Sequence, residues 1–153
     1  IGGKSEMISS NKTKGFTLVE LLIVIVVIAI LAAISIVAYN GVTQKARDDE
    51  RQSNARNLVN AAASFNSSAE DDKWPTVSEV GGYSTIKVPA TVISATDGTA
   101  PTPSNKNHYG YEFCKDGGVT TNQSEATGVK VKYWKDVDAG TDHVKEITTG
   151  KCN

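Results

Sequence analysis

The stretch Gly15-Phe16-Thr17-Leu18-Val19-Glu20-Leu21-Leu22-Ile23-Val24-Ile25-Val26-Val27-Ile28-Ala29-Ile30 decides the fold of this chain. From Leu21 to Ala38 the sequence runs for 18 residues with Ser35 as the only polar member. A helix of that length rises about 27 Å, close to the roughly 30 Å hydrocarbon core of a bilayer. The stretch therefore predicts one membrane-spanning helix, with its transmembrane part at about residues 18–39.

Glu20 is an unusual residue for a simple membrane anchor. A carboxylate at the bilayer centre costs on the order of 2.5–3.5 kcal/mol, so an acidic residue in such a segment usually has a function and a partner. Glu20 lies near the end of the apolar run, where this cost is lower. The alternative is that its side chain snorkels to the interface of an ordinary signal anchor.

The residues before the apolar run form a recognisable motif. Lys12, Lys14 and Gly15 precede the Phe-Thr-Leu-Val-Glu string, and the unbroken apolar helix follows. This arrangement resembles the class III signal of type IV prepilins and pseudopilins. The resemblance implies that a membrane-embedded aspartyl peptidase cuts between Gly15 and Phe16 and methylates the new amino terminus on Phe16. It also implies that Glu20 acts in filament assembly.

The chemistry of such a cut fits the residues present. A side chain larger than that of Gly15 would crowd an intramembrane active site. Cleavage leaves an ammonium group on Phe16, and Glu20 can neutralise it, because a buried charge needs a partner. If the ammonium belongs to a neighbouring subunit, the pair sets the axial register of a helical filament.

The basic flank predicts the orientation of the helix. Three lysines against one glutamate precede it, and the positive-inside rule places such a flank in the cytoplasm. Residues 1–15 are therefore predicted to be a cytoplasmic leader, and everything after Tyr39 is predicted to be outside. The chain begins with Ile1, so Met7 is one candidate start and a start further upstream is the other. An ordinary secretory signal cut near Ala33 to Ala38 is an alternative.

After the apolar run the helix is predicted to continue, giving one long helix over residues 16–69. The segment Gln44 to Arg56 is highly charged, and we expect most of it to be a solvated helix face. A single apolar stripe at helical spacing then indicates that one face packs on a head domain at residues 70–153. The stripe consists of Ala55, Leu58, Val59, Ala62, Phe65 and Ala69.

The head is predicted to contain a small antiparallel sheet. Strand candidates are Tyr109 to Phe113, Val129 to Trp134 and Val144 to Thr148, and the first two alternate with period two. A further short strand is predicted at Ile86 to Val88, and Thr91 to Asn107 is predicted to be irregular from its turn-forming composition. Packed on the helix stripe, the sheet gives an α+β, pilin-like fold.

Cys114 and Cys152 are the only cysteines, and both lie beyond the apolar run. On the extracytoplasmic side they are expected to pair, and closing a loop of that length stabilises the fold by about 4 kcal/mol in the chain-entropy model. The bridge would clamp the C-terminal segment. Two buried thiols or a redox site are the alternatives, although no Cys-x-x-Cys is present.

The composition argues against an enzyme. His108 and His143 are the only histidines, each in a polar setting, and the sequence has no phosphate loop, dinucleotide fingerprint or zinc spacing. The net charge of −1 gives no basic field for nucleic acid. We therefore predict no catalytic residues and no specific nucleic-acid partner.

One acidic loop is a weak candidate for a metal site. Asp136, Asp138 and Asp142 surround a glycine, and oxygen ligands suit a hard cation such as calcium. The loop is not an EF-hand, because Ile147 stands where the bidentate glutamate would fall. An acidic solvated turn is the simpler interpretation, so no cofactor is predicted and calcium remains a candidate.

The resemblance implies a structural subunit of a type IV pilus-like surface filament with a role in adhesion, twitching motility or DNA uptake. Its expected partners are copies of itself, prepilin peptidase, the membrane, and an assembly platform with its ATPase. Its expected location is the bacterial cytoplasmic membrane as a precursor and then the cell surface. Alternatives are a pseudopilin of a type II secretion or competence system, a single-pass anchored binding module, and a secreted enzyme whose catalytic residues the sequence does not provide.

Overall fold

The computed structural model of the chain describes residues 2–3, 15–137 and 139–152. The chain divides into two compact units, Ile1–Tyr39 and Asn40–Asn153. Most of the described first unit is helical, whereas the second contains helices and a sheet.

Helix α1 covers Leu18–Ser68, which confirms the predicted long helix. Its large apolar side chains from Leu18 to Val42 are exposed. Within the described residues, α1 is the helix long and apolar enough to cross a membrane, judged by length and composition. From Asp48 onward one side of the helix is buried in the second unit.

The second unit completes an α+β fold. Besides the later part of α1, its described residues form two short helices, one 3-10 helix and five strands. In chain order these are α2 (Val77–Gly82), α3 (Ala90–Ser94), β1 (Thr96–Asp97), β2 (Tyr109–Lys115), β3 (Gly118–Thr120), the 3-10 helix (Gln123–Glu125), β4 (Gly128–Trp134) and β5 (Val144–Gly150).

The strands form one sheet in the order β1-β2-β4-β5, with β3 paired to β2. Strands β2, β4 and β5 are antiparallel, with Tyr111 opposite Val131 and Val131 opposite Ile147, and they confirm the three longer predicted strands. Strand β3 was not predicted, although its signal is present: Asp116-Gly117 forms the two-residue hairpin loop with positive φ at both positions.

Two predictions for the middle of the chain are wrong. Ile86 to Val88 is not a strand but part of the connection between α2 and α3. The segment from Thr91 to Asn107 is not wholly irregular, because most of α3 and the parallel strand β1 lie within it. Burial of Val92 and the pairing of β1 with β2 override the weak local propensities there.

The core lies between α1 and the sheet. Ala55, Leu58 and Ala62 of α1 are fully buried, as are Val129 and Val131 of β4. The alanine and leucine side chains of the helix and the β-branched valines of the strand share one hydrophobic core. This arrangement confirms that the second half of the helix lays one face on the head.

Gly150 is required at the end of β5. Its φ is +76°, and a Cβ there would lie 2.6 Å from the Trp74 ring. Gly150→Ala is therefore expected to lower the free energy of unfolding by about 2–4 kcal/mol, through backbone strain and overpacking. Gly82→Ala is the matched control, since a Cβ at Gly82 meets nothing within 4 Å. Equal urea midpoints for the two variants would contradict this account.

Candidate functional site

The start of α1 is closed by a reciprocal pair of hydrogen bonds. The backbone N–H of Thr17 donates to Oε2 of Glu20 over 3.2 Å, and the N–H of Glu20 donates to Oγ1 of Thr17 over 3.2 Å. This is a capping box, which satisfies N–H groups that have no acceptor within the helix. Thr17 is thus the N-cap of α1.

Glu20 therefore has a structural role that the sequence analysis missed. The signal was present, because Thr17-Leu18-Val19-Glu20 has the T-x-x-E spacing of a capping box. Oε1 of the same carboxylate makes no hydrogen bond within the described chain, so it remains available to another donor. One oxygen of the Glu20 carboxylate thus caps the start of the helix.

The acidic loop between β4 and β5 is bound to α1. Oδ1 of Asp136 accepts hydrogen bonds from Lys106 Nζ at 2.8 Å and Trp134 Nε1 at 2.9 Å, and Oδ2 contacts Arg51 at 3.2 Å. Asp142 accepts from the N–H of Val144, and Asp138 lies outside the described residues. Asp136 therefore serves an ion-pair network, and within the described residues no cluster of three metal-ligating side chains occurs.

The centre of this network is a buried ion pair on α1. Asp48 and Arg51 are each 4% exposed and lie 3.1 Å apart. Both oxygens of Asp48 also accept backbone N–H groups, from Asp136 and Val137, at 2.8 Å. We define Asp48, Arg51 and Asp136 as the helix clamp, since they attach the β4–β5 loop to the helix.

The sequence predicted that most of the charged segment is a solvated helix face. This prediction is wrong for Asp48 and Arg51, which are buried. A signal was available, because Asp48, Arg51 and Ala55 continue the spacing of the buried stripe that Leu58 and Ala62 follow. Charge alone suggested exposure, whereas the helical phase placed both residues on the buried side.

Cys114 and Cys152 form a disulfide, as predicted, with their Cα atoms 5.0 Å apart. Cys114 is the penultimate residue of β2 and Cys152 follows β5, so the bridge spans the intervening strand β4. It crosses that strand at Gly128, where a Cβ would lie 2.9 Å from Sγ of Cys152. The bridge thus holds the C-terminal segment against the sheet.

The two histidines lie in separate polar settings. Nε2 of His108 is 2.8 Å from Oδ1 of Asp97 and 3.0 Å from Thr99 Oγ1. The ring of His143 stacks on that of Trp134, with centroids 4.8 Å apart, and its Nδ1 lies 2.8 Å from the carbonyl oxygen of Lys135. Both rings therefore stabilise loops of the head.

Residues 10–36 match the family model of the prokaryotic N-terminal methylation motif. The chain carries the class III signal of type IV pilins and pseudopilins. The match confirms the resemblance drawn from the residues around Gly15 and Glu20. No solved structure matches the chain.

The class III signal includes the junction between Gly15 and Phe16. Phe16 is 85% exposed, and a Cβ at Gly15 would meet nothing within 4 Å. The residues of the signal before Gly15 lie outside the described residues. Cleavage after Gly15, methylation of Phe16 and an assembly role for Glu20 stay predictions.

Away from the signal, Glu79 forms a second electrostatic contact between distant segments. Burial raises its pKa, but hydrogen bonds from Lys73, Thr76 and Gln123 outweigh burial and lower the pKa to about 2. Nζ of Lys73 lies 2.7 Å from one carboxylate oxygen, and Nε2 of Gln123 lies 2.8 Å from the other. Glu79 thereby connects α2 to the 3-10 helix.

Asp136 and Glu79 predict acid sensitivity of the head. Burial opposes ionisation of Asp136, but hydrogen bonds from Lys106 and Trp134 lower its pKa to about 2. The pKa values of both carboxyl groups are lower in the folded chain than in the unfolded chain. Their ionised forms therefore stabilise the fold at neutral pH, and this stabilisation is lost as pH falls from about 4.5 toward 2. We expect each group to contribute on the order of 1 kcal/mol after solvent screening.

Urea unfolding of the full chain in detergent micelles at pH 6 and pH 3 measures this effect. The wild type should lose stability at pH 3, and Glu79→Gln should lose less between the two pH values because its side chain does not titrate. An acid loss as large in Glu79→Gln and Asp136→Asn as in the wild type would assign the sensitivity to other groups.

Proposed function

We propose that this protein is a structural subunit of a type IV pilus-like surface filament and not an enzyme. The observation that carries the proposal is the methylation motif at residues 10–36, which includes the start of α1 and much of its exposed apolar stretch. Such an apolar surface must be covered by lipid or by protein. A membrane covers it in the precursor, and the helices of other copies cover it in the filament.

The proposed sequence of events begins with insertion of the helix into the cytoplasmic membrane. Prepilin peptidase cuts between Gly15 and Phe16 and methylates the amino group of Phe16. An assembly platform and its ATPase then extract the subunit into a filament on the cell surface, where it acts in adhesion, twitching motility or DNA uptake. The α+β head with its disulfide between Cys114 and Cys152 suits an extracytoplasmic, oxidising location.

Intact mass of the protein recovered from the cell surface tests this proposal. The expected species begins at methylated Phe16 and gains the mass of two hydrogen atoms on reduction, because one disulfide opens into two thiols. A species that keeps residues before Gly15, or one that begins near Ala38, would show that the chain is an ordinary anchor or a secreted domain. Either of these outcomes would refute the filament proposal.

A pseudopilin of a secretion or competence system is the second candidate, since the same motif serves both classes. Calcium at the β4–β5 loop would favour it. We expect no calcium-dependent rise in the melting temperature, because both oxygens of Asp136 already contact cationic side chains. Thermal melting of the full chain with calcium and with EDTA measures this, and a rise that Asp136→Asn abolishes would favour the pseudopilin.

A further inference from the structure

Three Asn-x-Ser/Thr triplets occur in the sequence, and the structure distinguishes between them. Such a triplet, with any residue except proline in the middle, is the acceptor motif for asparagine-linked glycans. The triplets begin at Asn11, Asn66 and Asn122. The first precedes the proposed cut after Gly15 and lies outside the described residues. The comparison therefore concerns Asn66 and Asn122.

The triplet at Asn66 is unsuited to modification. Asn66 lies near the end of α1 and is half-buried. Its Nδ2 donates a hydrogen bond to the carbonyl oxygen of Asp72 over 2.6 Å. The hydroxyl of Ser68, the third residue of the triplet, donates to the carbonyl oxygen of Phe65 over 3.0 Å. The nitrogen that would carry a glycan is thus engaged, and the hydroxyl serves a different group.

The triplet at Asn122 has the opposite arrangement. Asn122 is exposed and lies on the connection between β3 and the 3-10 helix, of which it is the N-cap. Its Oδ1 accepts hydrogen bonds from the N–H of Ser124 over 3.1 Å and from the hydroxyl of Ser124 over 2.8 Å. Within the described residues its Nδ2 makes no hydrogen bond. The triplet thus closes on itself through the amide oxygen and leaves the amide nitrogen unengaged.

The middle residue of this triplet holds it on the surface of the head. Gln123 is half-buried, and its Nε2 donates to the carbonyl oxygen of Trp74 and to Oε2 of Glu79, each over 2.8 Å. The side chains on either side of it, those of Asn122 and Ser124, are both exposed. The head therefore anchors the triplet through its centre and presents the asparagine and the hydroxyl to solvent.

We propose that Asn122 is an asparagine-linked glycosylation site. The donor would be an oligosaccharide carried on a lipid diphosphate at the outer face of the cytoplasmic membrane. The inference rests on the proposed function, which places the head outside that membrane. Three observations support it: the asparagine is exposed, the hydroxyl of the triplet bonds to its Oδ1, and its nitrogen is unengaged. The triplet at Asn66 shares none of them.

The transfer is a substitution at the first sugar of the donor. Nδ2 of Asn122 forms a bond to C1 of that sugar, and the bond between C1 and the diphosphate oxygen breaks. The diphosphate leaves on its lipid, and one proton of Nδ2 passes to a basic group of the membrane-bound transferase. The hydrogen bond from the Ser124 hydroxyl to Oδ1 withdraws electron density from the amide, which makes this proton easier to remove.

Peptide mass spectrometry of the protein recovered from the cell surface tests the site. Trypsin releases Asn122 in the peptide of residues 116–130, which contains no other asparagine. We expect this peptide to carry the added mass of at least one sugar residue, located on Asn122 by fragmentation. The peptide of residues 57–73, which contains Asn66, should have its unmodified mass. An unmodified 116–130 peptide, or a glycan on Asn66 in its place, would overturn the proposal.

Asn122→Asp is the matched variant for this site. An aspartate keeps the oxygen that accepts from Ser124, so the N-cap of the 3-10 helix persists, but it lacks the amide nitrogen. It should lose the glycan completely, as should Ser124→Ala, whereas Ser124→Thr keeps the hydroxyl and should keep the glycan. Added mass that persists in Asn122→Asp would place the sugar on a hydroxyl group, and a glycan that persists in Ser124→Ala would leave the serine without a role. Either result would contradict the proposal.

The first residue of the recovered chain is measured in the same sample and tests the proposed function separately. A chain that keeps residues before Gly15 and carries a glycan on Asn122 would refute the filament and support the glycosylation site. A chain that begins at methylated Phe16 with Asn122 unmodified would refute the site alone. The two failures are therefore distinguishable.

Discussion

Glu20→Gln is expected to abolish filaments while the helix it begins stays intact. A glutamine at this position keeps a side-chain oxygen that can accept from the N–H of Thr17, so the capping box observed at the start of α1 persists. The substitution removes only the carboxylate charge. The ammonium on Phe16 of the proposed neighbour then has no counter-ion in an apolar setting, which costs about 3–5 kcal/mol per subunit.

Thr17→Ala is the matched control for this prediction. It removes the hydroxyl that accepts from the N–H of Glu20 but keeps the carboxylate. Loss of such a cap costs about 1 kcal/mol of helix stability, so filaments should form in near wild-type amounts. Glu20→Ala removes both the charge and the hydrogen bond from the N–H of Thr17 to the carboxylate, so it does not separate them, although it too is expected to abolish assembly.

Electron microscopy of surface filaments, with the membrane fraction measured in parallel, provides the comparison. All three variants should insert into the membrane, because the apolar run that follows is unchanged. Wild-type filaments from Glu20→Gln together with filament loss in Thr17→Ala would assign the role of Glu20 to capping alone. Wild-type filaments from Glu20→Ala would leave the charge pair without a role.

Arg51→Ala is expected to lower the free energy of unfolding of the second unit by about 3–5 kcal/mol. The guanidinium contacts Asp48 at 3.1 Å and Asp136 at 3.2 Å, and its Nε donates to Asn107 over 3.1 Å. Its removal leaves the buried carboxylate of Asp48 without its cation. Because a domain of this size has only about 5–15 kcal/mol of stability, the loss should reduce the amount of protein on the cell surface.

Arg47→Ala is the control for the helix clamp. Arg47 lies in the same charged segment but is exposed, and within the described chain it makes no ion pair. A surface substitution of this kind usually changes stability by less than about 0.5 kcal/mol. Thermal unfolding followed by tryptophan fluorescence measures both variants, and Arg51→Ala should melt more than about 10 °C below wild type. Equal melting temperatures would show that the clamp contributes nothing to stability.

The sequence alone determined the elements that depend on near neighbours. The apolar run after Glu20 specifies α1 because helical hydrogen bonds join residues four apart, and the alternation in Val129 to Trp134 specifies a strand with one buried face. The capping box of Thr17 and Glu20 and the hairpin loop at Asp116-Gly117 also depend on near neighbours. The sequence contains the signals for both, although the sequence analysis did not use them. The two cysteines predicted their own bridge because no others compete for them.

The tertiary structure alone decided which partners the buried charges meet. Asp48 accepts N–H groups from residues 88 and 89 positions away, and Arg51 meets Asp136 85 positions away. A buried charge is tolerated only when such partners arrive, and their arrival depends on how the sheet folds back over the helix. For the same reason β1 and α3 were missed, because pairing with β2 and burial of Val92 hold segments whose local preferences are weak.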